Sequence, residues 1–472
     1  MTRWSRTPTI GVLGVVVVVA ATVAAGLAPA RPRPAVFALP GHRSLSGATV
    51  LGALTQPAVV AGASSEAWYC VAPPLLPLAA STIALANLGA RARHVELVPT
   101  ASGARPIAVV PLAAGAMTSR PVGVRGFSIV EGPGGVAATV VSHESAGVQS
   151  EPCQSTASDA WTVLGFDTGA GDRAVVRIAN PFQTTAVVNV DPIGPSGTTV
   201  VASTQGIVIQ PGQTVNVDVA KLEPGMTDAG VVVGAKNGRV VVVGATRPNG
   251  AIAPIVLDPQ ATQGRSLVAP WVPVVGLRNL SVVLANPSSS VVRASVRVVG
   301  LRGTAGSTAS VADGHGVSER VVVPSGATVV VPLTAEALAE PSAGVQLSVH
   351  TSGGAVSGVV DIERRGVLDG RSVISLEQVA SRGWFLTCPS SAAMSALAFD
   401  EVGASAQLTI AAHTAASGAR SFETNLLHAG VIGLGGVRGV AWYDVSATEP
   451  VALWPVASST GCAVLGVVGP LD

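Results

Sequence analysis

Charge is scarce in this chain. Of its 472 residues only 12% are Asp, Glu, Lys or Arg, and 28 basic side chains almost cancel 27 acidic ones, for a formal net charge of +1. Nucleic-acid binding depends on clustered Lys and Arg that replace counterions, so this balance removes the usual case for a nucleic-acid partner. Lysine is nearly missing: Lys221 and Lys236 are the only two, which points to a GC-rich coding sequence rather than a binding surface. Aromatics make up only 3% of the chain, so most of them are needed for cores. No segment after the N-terminal stretch keeps a helical period over three turns. What the chain does have is 48% hydrophobic residues, 54 Gly and 33 Pro. That composition excludes a disordered polyelectrolyte and suits short strands joined by turns. At roughly 100–150 residues per domain, the length predicts about three or four units.

The one long apolar run lies at the start. Arg3 and Arg6 precede Ile10–Ala28, nineteen residues without a charge. As a helix at about 1.5 Å per residue it reaches roughly 28 Å, close to the thickness of a bilayer core. The arginines should stay inside the cell and the rest of the chain outside. Two readings follow: an uncleaved anchor, favoured by the length of the run, or a signal peptide cut near Ala30 after Ala28-Pro29-Ala30. Residues 1–30 are therefore read as the membrane signal and 31–66 as a Pro/Gly/Ser-rich linker.

The remainder divides into four related segments, each opening on a Trp: Trp68, Trp161, Trp271 and Trp384. A strand-and-turn phrase follows in each, as IALANLG at Asn87, VRIANPF at Asn180 and VVLANPS at Asn286, with a weaker ALAFDEVG at Glu401. Next come a β-branched strand, a Gly turn such as IVIQPGQTVNVDV, and a Gly-containing turn between two valine-rich runs. Asn237-Gly238 inside GVVVGAKNGRVVVVGA reads as the turn of a closing hairpin, with counterparts at Gly134-Gly135, Gly353-Gly354 and around Glu449-Pro450. The expected fold is all-β: four tandem immunoglobulin-like sandwich repeats over 67–158, 159–268, 269–381 and 382–472. A propeller-like ring is the alternative.

Four cysteines follow the repeats. Pairing Cys70 with Cys153 and Cys388 with Cys462 keeps each bond inside one terminal repeat, a chemistry that export permits. No CxxC pair and no cluster of His ligands supports a metal, and no cofactor is expected. The seven His residues form no HExxH, and neither GxSxG nor SxxK occurs. Gly169-Ala170-Gly171-Asp172-Arg173-Ala174 matches GxGxxA, but a strand follows where a dinucleotide site needs a helix, so it reads as a hairpin turn. Asp361, Glu363, Arg364 and Arg365 form one of the densest charged groups, read as a solvated loop with an interaction site as the sharper alternative. Trp442, Tyr443 and Trp454 have no counterparts in the other repeats and are the best candidates for a sugar-stacking platform.

The order of these phrases, a membrane signal followed by AWYC, LANLG/IANPF/VLANPS, PGQTV-like turns and a late Cys, resembles the actinobacterial proteins grouped as domain of unknown function 5719. The resemblance implies an exported or membrane-anchored envelope protein and brings no activity or site residues. The expected function is a non-enzymatic scaffold or interaction module of the cell envelope, tethered through its N-terminal helix and facing an envelope protein. A wall-glycan-binding module is the alternative, and a hydrolase assembled from scattered acids comes third.

Overall fold

The structure is a computed structural model. It describes residues 57–60, 67–87, 91–98, most of 106–301, then 317–333, 344–364, 370–376 and the strands between 381 and 467. The apolar run Ile10–Ala28, residues 31–56 and 61–66 of the expected linker, Arg365, Cys388 and Cys462 lie outside the described residues; Pro57–Val60, read as linker, is instead a strand, because its backbone pairs in parallel with Ala463–Val467.

Alternating and β-branched sequence gives strands almost everywhere, so the protein is all-β, built of open sheets without a barrel. Repeat 3 shows the plan. Its eight strands are Ser266–Pro273, Leu277–Asn286, Val292–Leu301, Val317–Val323, Ala327–Pro332, Gly344–Ser352, Ser357–Arg364 and Gly370–Ser375. One four-stranded sheet has the order first–sixth–third–fourth, and the other has the order fifth–second–seventh–eighth. Repeats 1 and 2 have the same two orders, repeat 2 adding a two-residue strand at Gly197–Thr198. The two sheets of a repeat face each other across a valine-rich core, which in repeat 3 joins Val296, Val298 and Leu347 of one sheet to Val282, Leu284 and Val360 of the other.

This order is not the immunoglobulin one. An immunoglobulin sandwich pairs its first strand with its second and its sixth with its seventh; here the first pairs with the sixth, and the seventh with the second. Nor does any of these sheets consist of four consecutive strands, as a propeller blade would. The expected closing hairpin is a correction of the same kind. Ala229–Asn237 and Val241–Arg247 flank the Asn237-Gly238 turn, with Gly238 at φ +77, yet they belong to different sheets. The turn residues were read correctly, but the chain crosses between layers there because Val240 exchanges two backbone hydrogen bonds with Ser158 (2.9 and 3.0 Å), ahead of the first strand. Likewise the Gly169–Asp172 turn joins strands of different sheets, Ala160–Phe166 and Arg173–Ala179, and is no hairpin. In repeat 4 the expected turn at Glu449-Pro450 is absent: Val440–Ala457 is one strand, whose first half pairs with Ser381–Thr387 and second half with Met394–Glu401.

Two recurring side chains fasten the repeats, an Asn in repeats 1 to 3 and a Trp in repeats 1 and 2. Asn87, Asn180 and Asn286 are fully buried at the end of the second strand. Each donates from Nδ2 to the carbonyl four residues on (Arg91, Thr184, Ser290) and to the end of the fourth strand (Leu112, Ile209, Val323), at 2.7–3.1 Å. A turn-forming Asn thus ties two loops at one end of the sandwich. Trp68 and Trp161 are buried, and their indole N–H groups donate to Val136 O (3.0 Å) and Val240 O (2.9 Å), where the seventh strand begins. Both residue types are structural, as the sequence led one to expect. Cys70 and Cys153 form a disulfide that closes repeat 1.

Candidate functional site

Repeats 1, 2 and 3 are stacked through two seams built from the same parts. The outer face of the first sheet of one repeat lies on the outer face of the second sheet of the next. At the seam of repeats 1 and 2, Val71, Phe127 and Ile129 meet Ala179, Val241 and Val243. At the seam of repeats 2 and 3, Val283, Ala285, Val359 and Val373 of repeat 3 join the buried cluster of repeat 2. A glutamine just past the eighth strand clamps each seam. Gln154 exchanges backbone hydrogen bonds with Tyr69 and sends its Nε2 to Val242 O of repeat 2 (2.6 Å). Gln260 does the same with Thr162, donates to Gly358 O and Leu376 O of repeat 3, and accepts from Gly358 N–H.

The seam of repeats 2 and 3 holds the densest chemistry among the described residues. Its first strand, Ala160–Phe166, carries a bulge at Gly165, where the register slips against Ala229–Asn237. Gly165 has φ +92, and a Cβ there would lie 2.7 Å from Val373 Cγ1, so glycine is required for the close approach of repeat 3. The bulge frees Gly165 O, which accepts from Arg371 Nη1 at 3.1 Å. Arg371, on the eighth strand of repeat 3, is then gripped by three carboxylates. Its Nε donates to Asp361 Oδ1 (2.7 Å), its Nη1 to Asp167 and its Nη2 to Asp228. All four side chains are about nine-tenths buried. Asp167 directly follows the first strand of repeat 2 and Asp228 directly precedes the sixth, so neighbouring strands present both acids at one corner.

Three carboxylates against one guanidinium leave an excess of buried negative charge. Burial pushes the Asp361 carboxyl up to about 6, with Arg371 opposing the shift and Asp228 adding to it. Burial also raises Asp167 and Asp228, again against the pull of Arg371. The carboxylates in turn hold Arg371 firmly protonated despite its burial. The cluster can therefore tie two repeats together and take up a proton near pH 6. Acids with raised pKa values are also what a hydrolase would need, but these point at a cation, with a guanidinium nitrogen on each.

Asp361 was singled out in the sequence, but as part of a solvated loop; the residue instead lies within the strand Ser357–Arg364 and is buried in the ion cluster. Its partner is Arg371. Glu363 is half-buried and accepts from Asn279 Nδ2 (2.9 Å). Arg364 pairs in register with Gly370 at the strand end; Arg365 lies outside the described residues. Asp167, Asp228 and Arg371 gave no local sequence signal, because they come from three strands far apart in the chain. Trp442 and Tyr443 lie near the start of the strand Val440–Ala457, between Ser381–Thr387 and Ala406–Thr414, while Trp454, on the same long strand, pairs with Ala398. Among the described residues no group of His, Cys, Asp and Glu could hold a metal ion, and no helix is long and apolar enough to cross a membrane.

Fold and seams together define a tandem array of two-sheet β repeats fastened by buried polar contacts. Residues 131–275 match the model of DUF5719, a family of unknown function, so the resemblance read from the strand-and-turn phrases is shown over this segment. It runs from the end of the sixth strand of repeat 1 to just past the first strand of repeat 3, and so contains all of repeat 2. No curated protein matches the chain.

Proposed function

We propose that the protein is an exported, non-enzymatic scaffold of the cell envelope, held at or released from the membrane by its N-terminal apolar run, which presents loops of a rigid β array to a partner. The observation that carries this reading is the repeated seam. Two successive junctions bury apolar faces and add a glutamine clamp and an arginine, so neighbouring repeats are fixed in orientation rather than hung on linkers. Binding and catalytic residues commonly sit on loops placed by such a rigid frame. The Cys70–Cys153 bond is compatible with an oxidising compartment. The acids that cluster are spent on Arg371, which favours a structural over a hydrolytic role for them.

In-cell photo-crosslinking with probes at Tyr443 and Arg364, read by mass spectrometry, tests the proposal. Recovery of one defined envelope protein from either position is the expected result. If Tyr443 instead yields only glycan-bearing, muramidase-sensitive material, the scaffold reading fails and wall binding through the Trp442–Trp454 strand replaces it.

A further inference from the structure

The seam of repeats 1 and 2 has the opposite charge imbalance. On the second sheet of repeat 2, Arg173 lies directly opposite Arg247 in the antiparallel register. Side chains so placed stand about 5 Å apart at Cβ, where like charges repel. Arg177, four residues along the same strand, shares the face of Arg173. Among the described residues none of the three has a carboxylate within salt-bridge distance. The nearest acid in sequence, Asp172, is occupied: its two oxygens accept from the backbone N–H groups of Asn249 and Gly169, both at 2.7 Å.

The arginines are held by neutral acceptors instead. Arg177 donates to Ala72 O (2.7 Å) and Asn216 Oδ1 (2.9 Å) and is half-buried, and burial lowers its pKa with no acid to oppose it. Arg247 reaches only Leu75 O, at 3.5 Å, and its Nε is buried without a partner. Leu75 itself has φ +69, a left-handed backbone unusual for a branched side chain, in the loop that faces these arginines. Arg173, by contrast, is exposed at the rim. A buried donor without a partner beside a repelling pair of guanidiniums is a cost that a tetrahedral oxyanion would remove, because each arginine fork can grip two of its oxygens.

We propose that this seam binds a phosphate-type oxyanion, free or carried on a larger molecule, with Arg173 and Arg247 as its paired clamp and Arg177 as the cation behind them. The site rests on geometry independent of the scaffold reading, and either can fail without the other.

The test is calorimetric titration of the full chain with inorganic phosphate at low ionic strength. Wild type should show saturable binding at a single site, and R320Q, which removes an exposed arginine of repeat 3, should bind equally well. The R173Q/R247Q variant should bind at least about tenfold more weakly, as expected for the loss of charge-assisted hydrogen bonds. Absence of saturable binding by wild type, or equal affinity in the double variant, overturns the proposal. Phenylglyoxal footprinting of wild type keeps the test valid even if that variant misfolds: phosphate should shield Arg173 and Arg247, and unshielded arginines refute the site. Phosphatidylcholine vesicles with phosphatidylglycerol compete with phosphate if a headgroup is the natural source, and do not if the source is soluble; the site stands in both cases.

Discussion

The two described seams have the same architecture and opposite electrostatics. Each lays the first and sixth strands of one repeat against the second and seventh of the next, and each inserts an arginine at the corner where the first strand ends and the sixth begins. At the seam of repeats 2 and 3 that corner carries Asp167 and Asp228, and Asp361 completes the grip on Arg371. At the seam of repeats 1 and 2 the matching positions are Ala72 and Gly126, so Arg177 finds a carbonyl and an open corner instead. Three carboxylates around an arginine on the eighth strand thus make a closed ion lock, whereas an arginine on the second strand without any of them leaves a seam with spare positive charge. Apolar contact holds both seams together, whereas the polar residues decide what each can respond to.

Removing Arg371 should have the largest effect. Arg371→Ala leaves three buried carboxylates unpaired, and breaking such a set costs about 3–5 kcal/mol. The thermal midpoint should fall, with hydrogen-exchange protection lost in Ser357–Arg364 before Val241–Arg247. Unchanged stability would mean that the cluster is not closed in solution. The glutamine clamps should come next. Gln260 makes three side-chain hydrogen bonds across its seam, whereas Gln154 makes one and has a buried Oε1 without a partner. Gln260→Ala should therefore cost about 2–3 kcal/mol and Gln154→Ala about 1 kcal/mol in denaturant titrations. Equal costs would contradict the asymmetry.

A pH effect should be smaller and confined to one seam. Asp361 keeps its proton up to about pH 6 in the folded protein, whereas an unfolded Asp releases it near pH 4. Between these values the native state binds more protons, so this group's contribution is full below about pH 4 and is lost as pH rises through 6. Stability should be about 1 kcal/mol higher at pH 5 than at pH 7, and Asp361→Asn should reduce that difference, leaving only what the raised Asp167 and Asp228 contribute. If the slope is undiminished in the variant, the proton is taken up elsewhere. The smallest effect should come from Arg177→Met. A half-buried charge without a carboxylate is exchanged for an apolar side chain of similar reach, so the change in stability should stay within about 1 kcal/mol. A loss comparable to that of Arg371→Ala would show that Arg177 has a charged partner.

Much of each repeat was legible locally. The Asn phrases at 87, 180 and 286 marked the loops that those side chains tie, because an Asn before a turn already satisfies its own backbone there. The leading tryptophans marked the first strand, since so large a side chain in a chain poor in aromatics is needed in a core. The Gly turns at Gly212, Gly238, Gly326 and Gly353 were also read in the right places, each at positive φ, whereas Gly134-Gly135 lies outside the described residues. Which strands they join was not legible: Asn-Gly between two valine runs predicts a hairpin by local chemistry, yet Ser158, ahead of the first strand, pairs with Val240 and sends the chain to the other sheet. The ion cluster was hidden for a related reason. Asp361 stood out only because charge is rare in its segment, while Arg371, ten residues on, and the two acids of the preceding repeat carried no shared motif.

The sequence by itself determined that this is an all-β chain of repeated strand-and-turn units, because alternation of apolar residues, turn chemistry and composition act over a few residues at a time. The tertiary structure alone decided how the strands divide between sheets and which charges meet at the seams. Strand order and seam contacts depend on pairings between residues tens to hundreds of positions apart, and those pairings exist only once the sheets have packed.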